Sequence, residues 1–508
     1  MGPVAGVVTA AVAAGVGHLV AGVTIPQASP VVVVGQAVIG LTPAPIKTWA
    51  EATFGPHDKT VLVAGVVVLL FAFAALIGWL TFRYGMRFGY AGLAVFGAIG
   101  LTAGLTRPSA SPSYATPTLI AVAAGALILR WLVRLATPRA PDNSRIVFGG
   151  PGPQPVRREF LAGSAAALGG AALAALAGRE LATRTTVSNA LTHIKFPRPA
   201  VTARPLPAGT QLNVPGITAF ITPDDAFYRV DTAIVLPQVD PSTWQLRIHG
   251  MVRRELVLTY DDLLRRPLIE DWITLCCVSN PVGGPYIGNA KWLGASLASL
   301  LREAGLMPGA QQLLCTSTDG YTSGTPVPIV MDGRDSLLAV AMNGQALPVE
   351  HGFPVRLVTP GLYGYVSACK WITDINVTTW SADAGYWVTE GWSQQAPIKT
   401  ESRIDVPTGS GSPKAGPLTV AGVAWAQHKG IEAVEVQIDS GPWNEAALAS
   451  VPGIDTWRQW QWNWDATAGS HLISARATDA TGYTQTSAIA SVTPNGATGY
   501  PQVQLTIA

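Results

Sequence analysis

The stretch Thr274-Leu275-Cys276-Cys277-Val278-Ser279-Asn280 decides how this chain is read. It sets two of the four cysteines side by side; the others are Cys315 and Cys369. Four cysteines are too few for a secreted domain stapled by disulfides, and no CxxC pair or His/Cys cluster has zinc spacing. A thiolate is a soft metal ligand, so one cysteine can supply a single bond to a metal held mainly by an organic cofactor. On these residues alone a buried, inert cysteine is the commoner outcome.

Outward from this stretch towards the N-terminus the composition changes. The 508 residues allow about three structural units, and a net charge of +2 gives no sign of a nucleic-acid surface. Charged residues make up 13% of the chain, about half the usual share, and the deficit lies mostly in the first 180 residues. Five runs there are apolar and long enough to span a bilayer: residues 3–25, 60–82, 88–106, 115–135 and 160–177. The run 31–41 is too short to span and reads as an interfacial or re-entrant piece. Arg83 and Arg87 follow the second run, and Arg139, Arg145, Arg157 and Arg158 follow the fourth, whereas the opposite links hold only Lys47, Lys59 and Arg107. The arginine-rich links therefore read as cytoplasmic, which places everything after about residue 180 outside the cytoplasmic membrane. Arg157-Arg158-Glu159-Phe160-Leu161, before a weakly hydrophobic Ala/Gly stretch, is similar to a twin-arginine export signal. His18 is the clear ionisable residue within a span, and His57 lies in a loop. Haem between two histidines is thus not expected, and the spans read as a membrane anchor or docking unit.

Towards the C-terminus the pattern is that of soluble domains. Residues 181–210 read as a polar, proline-containing linker. From 211 to 407 an α+β domain is expected: Trp244–His249 alternates like a strand, Leu297–Ala304 is helical and stops at Gly305, and Asp319-Gly320 and Asn343-Gly344 signal turns. After Pro407 comes the Gly/Ser/Pro stretch GSGSPKAG. From 415 to 508 short alternating strands predict a small β-sandwich of immunoglobulin-like type: Val434, Val436 and Ile438, then Trp460, Trp462 and Trp464, then Ile473, Ala475 and Ala477. The tryptophans are expected to pack a core.

TLCCVSN resembles the Thr-Leu-x-Cys-x-x-Asn loop of the sulfite oxidase family of molybdopterin enzymes, KWLGASLASLLREAG resembles the Trp-x-Gly helix that follows it, and MNGQALPVEHGFPVRLVTPGLYGYVSACKW resembles the family's most recognisable block. The likeness runs from about Asp225 to the C-terminus. It implies Cys277, three residues before Asn280, as the molybdenum ligand. Phe227-Tyr228-Arg229-Val230-Asp231 matches the pterin-binding Phe-x-Arg-Asn-His segment, with Asp231 where His is usual. Asp319 stands in the place of a pterin-contacting Asp, and Tyr321 in that of the active-site Tyr. His351, Arg356 and Lys370 match the residues that hold the pterin and its phosphate, joined by the backbone at Ala368 and Cys369. A polyanionic cofactor needs such Arg, Lys and His donors. VAGVAWAQHKGIEAVEVQIDSGPW and RATDATG resemble the family's dimerisation domain, which implies a homodimer, though membrane-bound relatives need not dimerise.

The resemblance implies Mo-molybdopterin, one molybdenum per chain, and two-electron oxygen-atom transfer on a small oxyanion or sulfoxide. Tyr321 and Arg229 would then face substrate. Pro281-Val282-Gly283-Gly284 stands where sulfite-oxidising relatives carry an Arg, which leaves a neutral sulfoxide as open as sulfite; the periplasmic methionine sulfoxide reductases are the relatives in point. No haem domain is read in the chain, so electrons are expected to pass through a separate protein or carrier. The rival reading is a non-catalytic membrane-bound binding or assembly protein that keeps the fold; it gives no reason for Cys277, Arg356 and Lys370 to occur together.

Overall fold

The computed structural model describes residues 1–43, 46, 49, 53–54, 58–107, 111–137, 156–183, 187 and 194–508. Lys47, His57, Arg139 and Arg145 lie outside the described residues. The chain divides into two compact units, Met1–Ser188 with Ala233–Gln238, and Asn189–Thr232 with Val239–Ala508.

In the first unit, five helices among the described residues are long and apolar enough to cross a membrane: Gly2–Val23, Thr60–Tyr84, Met86–Leu105, Pro112–Ala136 and Arg157–Ala182. These correspond to the five apolar runs, and the short run forms the helix Pro30–Leu41. Gly2–Val23 meets its neighbours through small residues. A Cβ on Gly6 would lie 1.9 Å from the Ala74 carbonyl oxygen, and one on Gly22 2.3 Å from that of Gly178. Backbones this close gain dispersion contact along each helix pair. His18 Nδ1 lies 3.2 Å from the Ser29 hydroxyl, so this ionisable side chain has a polar partner within the helical unit.

The second unit begins with chain that is packed down. Of the stretch that reads as a linker, Ile194 and Phe196 pack against the apolar core and Val201 bridges to Ile269. Two five-stranded sheets then enclose that core. One runs in the order Leu256–Thr259, Gln245–Gly250, Ile372–Thr378, Gln312–Ser317, Thr322–Pro326, with only the second and third strands parallel. The other runs Leu268–Cys276, Ile287–Ser296, Leu337–Met342, Gln345–Ala346, with Arg356–Val358 also paired to Leu337–Met342. Leu246, Ile248, Leu300, Leu338, Val340, Val355 and Ile375 fill the space between them. Leu337–Met342 is buried along its whole length, which explains its unbroken apolar sequence. Asn343 and Gly344 both adopt left-handed φ, 50° and 82°, as a two-residue hairpin turn requires.

The structure corrects two expectations. Trp292 and Gly294 lie on the strand Ile287–Ser296, and the helix starts only at Leu297, where the Ser296 hydroxyl accepts the Ser299 N–H. It ends at Gly305 with φ 74°, as its sequence predicts. The C-terminal sandwich begins before GSGSPKAG rather than after it. Glu401–Val406 pairs with Gly416–Trp425, so the Gly/Ser/Pro stretch joins two neighbouring strands of one sheet. Those strands, with Arg458–Ala466 and Ala447–Leu448, form one four-stranded layer; Trp443–Glu445, Ile431–Ile438, Gly469–Asp479 and Gln502–Ile507 form the other. Val434, Val436, Trp460, Ile473, Ala475 and Ala477 are fully buried between them.

A further apolar seam joins this sandwich to the back of the cysteine strand. Cys276, Val278 and Ile287 pack with Val423, Trp425 and Trp457. Thr274, two residues before Cys276, spends every polar group on fixing the seam. Its N–H donates to Asp455 O at 2.9 Å, its carbonyl accepts from Gln427 Nε2 at 3.1 Å, and its hydroxyl accepts the Trp457 N–H at 2.8 Å and donates to Asn289 Oδ1.

Candidate active site

Successive side chains of a strand point to opposite faces, and this separates the two adjacent cysteines. Cys276 closes the strand Leu268–Cys276, is fully buried in the apolar seam, and burial pushes its thiol well above the ordinary range. Cys277 starts the following loop, with Sγ 2.9 Å from the Ser279 hydroxyl. The loop is closed on itself. Cys277 N–H donates to Tyr286 O at 2.9 Å, and Asn280 Oδ1 accepts the Tyr286 N–H at 2.8 Å. Asn280 Nδ2 is buried without a hydrogen-bond partner, so the loop holds a spare donor.

Three phenols are buried in this part of the chain, Tyr363 among them lying in the seam with Cys276. Burial raises the pKa of Tyr228, Tyr321 and Tyr363 well above the phenol range, and a thiolate at Cys277 adds to each shift. All three are therefore protonated at any physiological pH. The Tyr321 hydroxyl donates to Tyr365 O at 2.8 Å, which leaves its oxygen lone pairs as acceptors.

A cationic group lies beside them. Arg356 is 5% exposed, donates to the carbonyls of His351 (3.0 Å) and Ala368 (3.4 Å), and sits 5.1 Å over the Trp292 ring. Among the described residues it has no carboxylate partner, and burial lowers its pKa to about 10. A buried guanidinium satisfied only by carbonyls is costly unless an anion joins it. Lys370 is tied to Asp231 Oδ2 at 2.8 Å and lies 4.7 Å over Trp371; burial lowers its ammonium to about 8, opposed by Asp231. Asp231 also takes Arg229 Nε at 2.7 Å, so the residue at the expected His position bridges two cations. Arg229 itself is largely exposed. His351 is lowered to about 4, first by burial and then by Arg356, and is neutral at pH 7. Its Nε2 lies 2.9 Å from Asp224 O, so the proton sits on Nε2 and Nδ1 is the free acceptor.

The remaining sequence-predicted residues join the same set. Phe227 stacks on Tyr228 and meets both His351 and Trp292 edge to face. Asp319 accepts the Tyr321 N–H at 3.1 Å and approaches Thr232 Oγ1 at 3.5 Å. Cys369 contributes only backbone here: its thiol is in the core, and its carbonyl accepts the Leu357 N–H. Sequence reading missed Asp224, Tyr363 and Ser279. Asp224 acts through its carbonyl, which any residue supplies, so its type carries no signal.

Comparison with known proteins accords with this set. Residues 233–387 match the family model for an oxidoreductase molybdopterin binding domain. The chicken (Gallus gallus) sulfite oxidase is 30% identical over 327 residues, which cover 54% of this chain and 70% of that protein. The chain belongs to the sulfite oxidase family. Human mitochondrial sulfite oxidase is 29% identical over 50% of this chain and 55% of its own length. An uncharacterized oxidoreductase, YuiH, of Bacillus subtilis is 31% identical over 30% of this chain and 74% of its own. Among solved structures, the sulfane dehydrogenase SoxCD of Paracoccus pantotrophus is similar at 26% identity and a TM-score of 0.48, covering 53% of this chain and 75% of that one. Membership implies a molybdopterin cofactor carrying molybdenum. The donor set fits: a buried guanidinium without a carboxylate partner and an amide donor without any partner, among the described residues, a second buried cation and a thiol.

Proposed function

We propose that this chain is a membrane-anchored oxidoreductase that transfers an oxygen atom, with two electrons, to or from a small oxyanion or sulfoxide outside the cytoplasmic membrane. The observation that carries this reading is Arg356, a buried cation without a carboxylate partner among the described residues, in the same group as the Cys277 thiol. In it Cys277 is the protein's ligand to molybdenum, one per chain. Arg356, Lys370, the neutral His351, Asn280, Asp319 and the backbone at Ala368 and Cys369 hold the pterin and its phosphate, with Phe227 and Tyr228 as an aromatic wall. Once bound, the cofactor supplies two-electron oxygen-atom chemistry. The chain's own residues do the rest. Tyr321 offers a lone pair to a protonated group of substrate or water, the phenols exclude bulk water, and Arg229 stands where an anionic substrate would enter. Electrons leave or arrive through an external protein or carrier, and the five helices hold the chain in lipid.

Asp231 favours a neutral substrate. It offsets both Arg229 and Lys370, and Pro281-Val282-Gly283-Gly284 adds no cation, so a dianion such as sulfite meets less positive field than two unpaired cations would give. The export-type start of the fifth span, the immunoglobulin-like character of the sandwich and a homodimer through it belong to the same proposal. Metal and pterin analysis of detergent-purified protein, beside Cys277→Ser, tests it. About one molybdenum per chain, electronically altered in the variant, is expected, followed by sulfoxide reduction faster than sulfite oxidation. Protein free of molybdenum and pterin, made in cells with an intact cofactor pathway, would sink the reading.

A further inference from the structure

Beside the sulfur of Cys277 lies a hydroxyl that the reading above leaves unused. Ser279 Oγ is 2.9 Å from Cys277 Sγ and makes no other hydrogen bond among the described residues. The chain sets it there. The Asn280 N–H donates to Cys277 O at 3.1 Å and closes a four-residue turn in which Ser279 holds the third place. Val278, between the two, is 5% exposed and packs into the apolar seam with Cys276. Cys277 and Ser279 are thereby turned together, away from the seam. Beyond Asn280 the loop is fixed again. The Gly284 N–H donates to Pro281 O at 2.8 Å, and a Cβ on Gly284 would lie 2.6 Å from Asn280 Oδ1. Arg403, paired with Asp405 at 2.6 Å, donates to Gly284 O at 3.1 Å and ties the loop to the strand Glu401–Val406. A hydroxyl on a turn fixed at both ends is pre-organised towards its neighbour.

The direction of this bond depends on the state of the sulfur. In the free thiol either atom can donate. A cysteine that binds a metal has given up its proton, so the Ser279 O–H then donates to sulfur. A charge-assisted bond of this kind draws electron density from the ligand atom. It strengthens when an added electron makes the sulfur more negative, and so eases reduction of the metal. Hydrogen bonds around metal-bound cysteine sulfur tune potentials in this way in blue-copper and iron–sulfur centres.

We propose that Ser279 is a positioning residue that acts through the Cys277 sulfur: its hydroxyl donates to the metal-bound thiolate and raises the potential at which molybdenum takes up electrons. Ser279 has this role only where Cys277 is the metal ligand, as in the reading above.

One experiment distinguishes the two. The cofactor-loaded full chain in detergent is titrated with dithionite against mediator dyes, and the paramagnetic molybdenum signal is followed by electron paramagnetic resonance. Ser279→Ala should lower the equilibrium constant for uptake of the first electron about tenfold, a shift of about 59 mV to lower potential. Its signal should change in shape at unchanged molybdenum and pterin content. Ser279→Thr keeps the hydroxyl and should stay within about twofold of wild type with the wild-type signal. An alanine variant within about twofold of wild type, with the same signal, overturns the tuning. Equal shifts in the alanine and threonine variants overturn it as well, because they follow side-chain shape and not the hydroxyl. Loss of molybdenum from the alanine variant alone makes Ser279 a residue that retains the metal and likewise overturns the tuning. These three outcomes leave the oxidoreductase reading standing. A wild-type signal that Cys277→Ser leaves unaltered overturns the ligand assignment and the role of Ser279 together, and wild-type protein without molybdenum and pterin overturns the whole functional reading.

Discussion

Cys276 and Cys277 are neighbours in sequence and belong to two different regions. On the Cys276 side the chain is an apolar seam. Trp425, Trp457, Val423 and Ile287 exclude water, and the thiol is a small hydrophobe with its proton firmly held. On the Cys277 side the groups are polar and partly unsatisfied: a spare amide donor, a guanidinium without a counter-ion among the described residues, and two protonated phenols, Tyr228 and Tyr321. The first region leaves the Trp425 indole N–H as its unmet side-chain donor among the described residues. The second carries unmet donors and a buried charge, which is costly for a protein unless something binds there. Cys276 ends the strand and Cys277 opens the loop after it, so the surroundings of each thiol follow from side-chain direction and not from residue type.

The largest effect that would break this comparison is an exchange of the roles of the two thiols. Cys277→Ser should lower turnover at least ~100-fold and alter the molybdenum signal, while the protein melts as before. Cys276→Ser should keep metal and pterin and instead lose about 1–3 kcal/mol of stability, because a hydroxyl enters the apolar seam. Equal loss of activity in the two variants, at equal folding, would refute the division.

Next in size is Arg356→Met. Removing a buried unpaired cation should leave the cofactor-free protein as stable as wild type or more stable, by up to about 1–4 kcal/mol. Pterin retention through gel filtration should fall sharply in the same variant. A destabilised cofactor-free protein that still keeps its pterin would show that Arg356 serves the fold.

His351 sharpens the comparison through pH. Its pKa is near 6.5 unfolded and about 4 folded, so the unfolded chain binds the extra proton between those values. The neutral histidine's contribution is therefore whole above pH 6.5 and lost as pH falls towards 4, to roughly 3 kcal/mol at most. His351→Gln should flatten that limb of the melting temperature against pH; an unchanged limb assigns it to other groups. The smallest effect is expected from Tyr321→Phe. It removes one hydrogen bond to Tyr365 O, worth about 1 kcal/mol, and should slow turnover by a factor of about ten or less with little change in cofactor content.

Local signals carried much of this architecture. The five apolar runs, the Gly305 stop and the Asn343-Gly344 turn each depend on residues within one element, and the helices and turns form where the sequence puts them. The candidate site was legible for another reason: Arg356, Lys370 and His351 follow one another at short spacing, and the structure gathers them beside Phe227 and Asp231. What stayed hidden were pairings across long separations. Nothing near Glu401 announces that its strand joins Gly416–Trp425 across a Gly/Ser/Pro loop. Nothing near Thr274 announces its bonds to Asp455, Gln427 and Trp457. The expected helix at Trp292 failed because the residues 291–296 are claimed by ladder bonds to both neighbouring strands, which outweigh the helical pattern that starts at Leu297.

The grip on Thr274 has a consequence for biosynthesis. The cysteine strand emerges from the ribosome some 180 residues before the loop that completes it, since Thr274 meets Asp455 and Trp457. Until that later stretch has been translated, the segment has its ladder to Ile287–Ser296 but lacks the hydrogen bonds that tie it to the sandwich. The backing of the cysteine strand is therefore completed only once residues 455–457 have been made, so a chain broken before Asp455 carries both cysteines without the bonds that tie their strand to the sandwich.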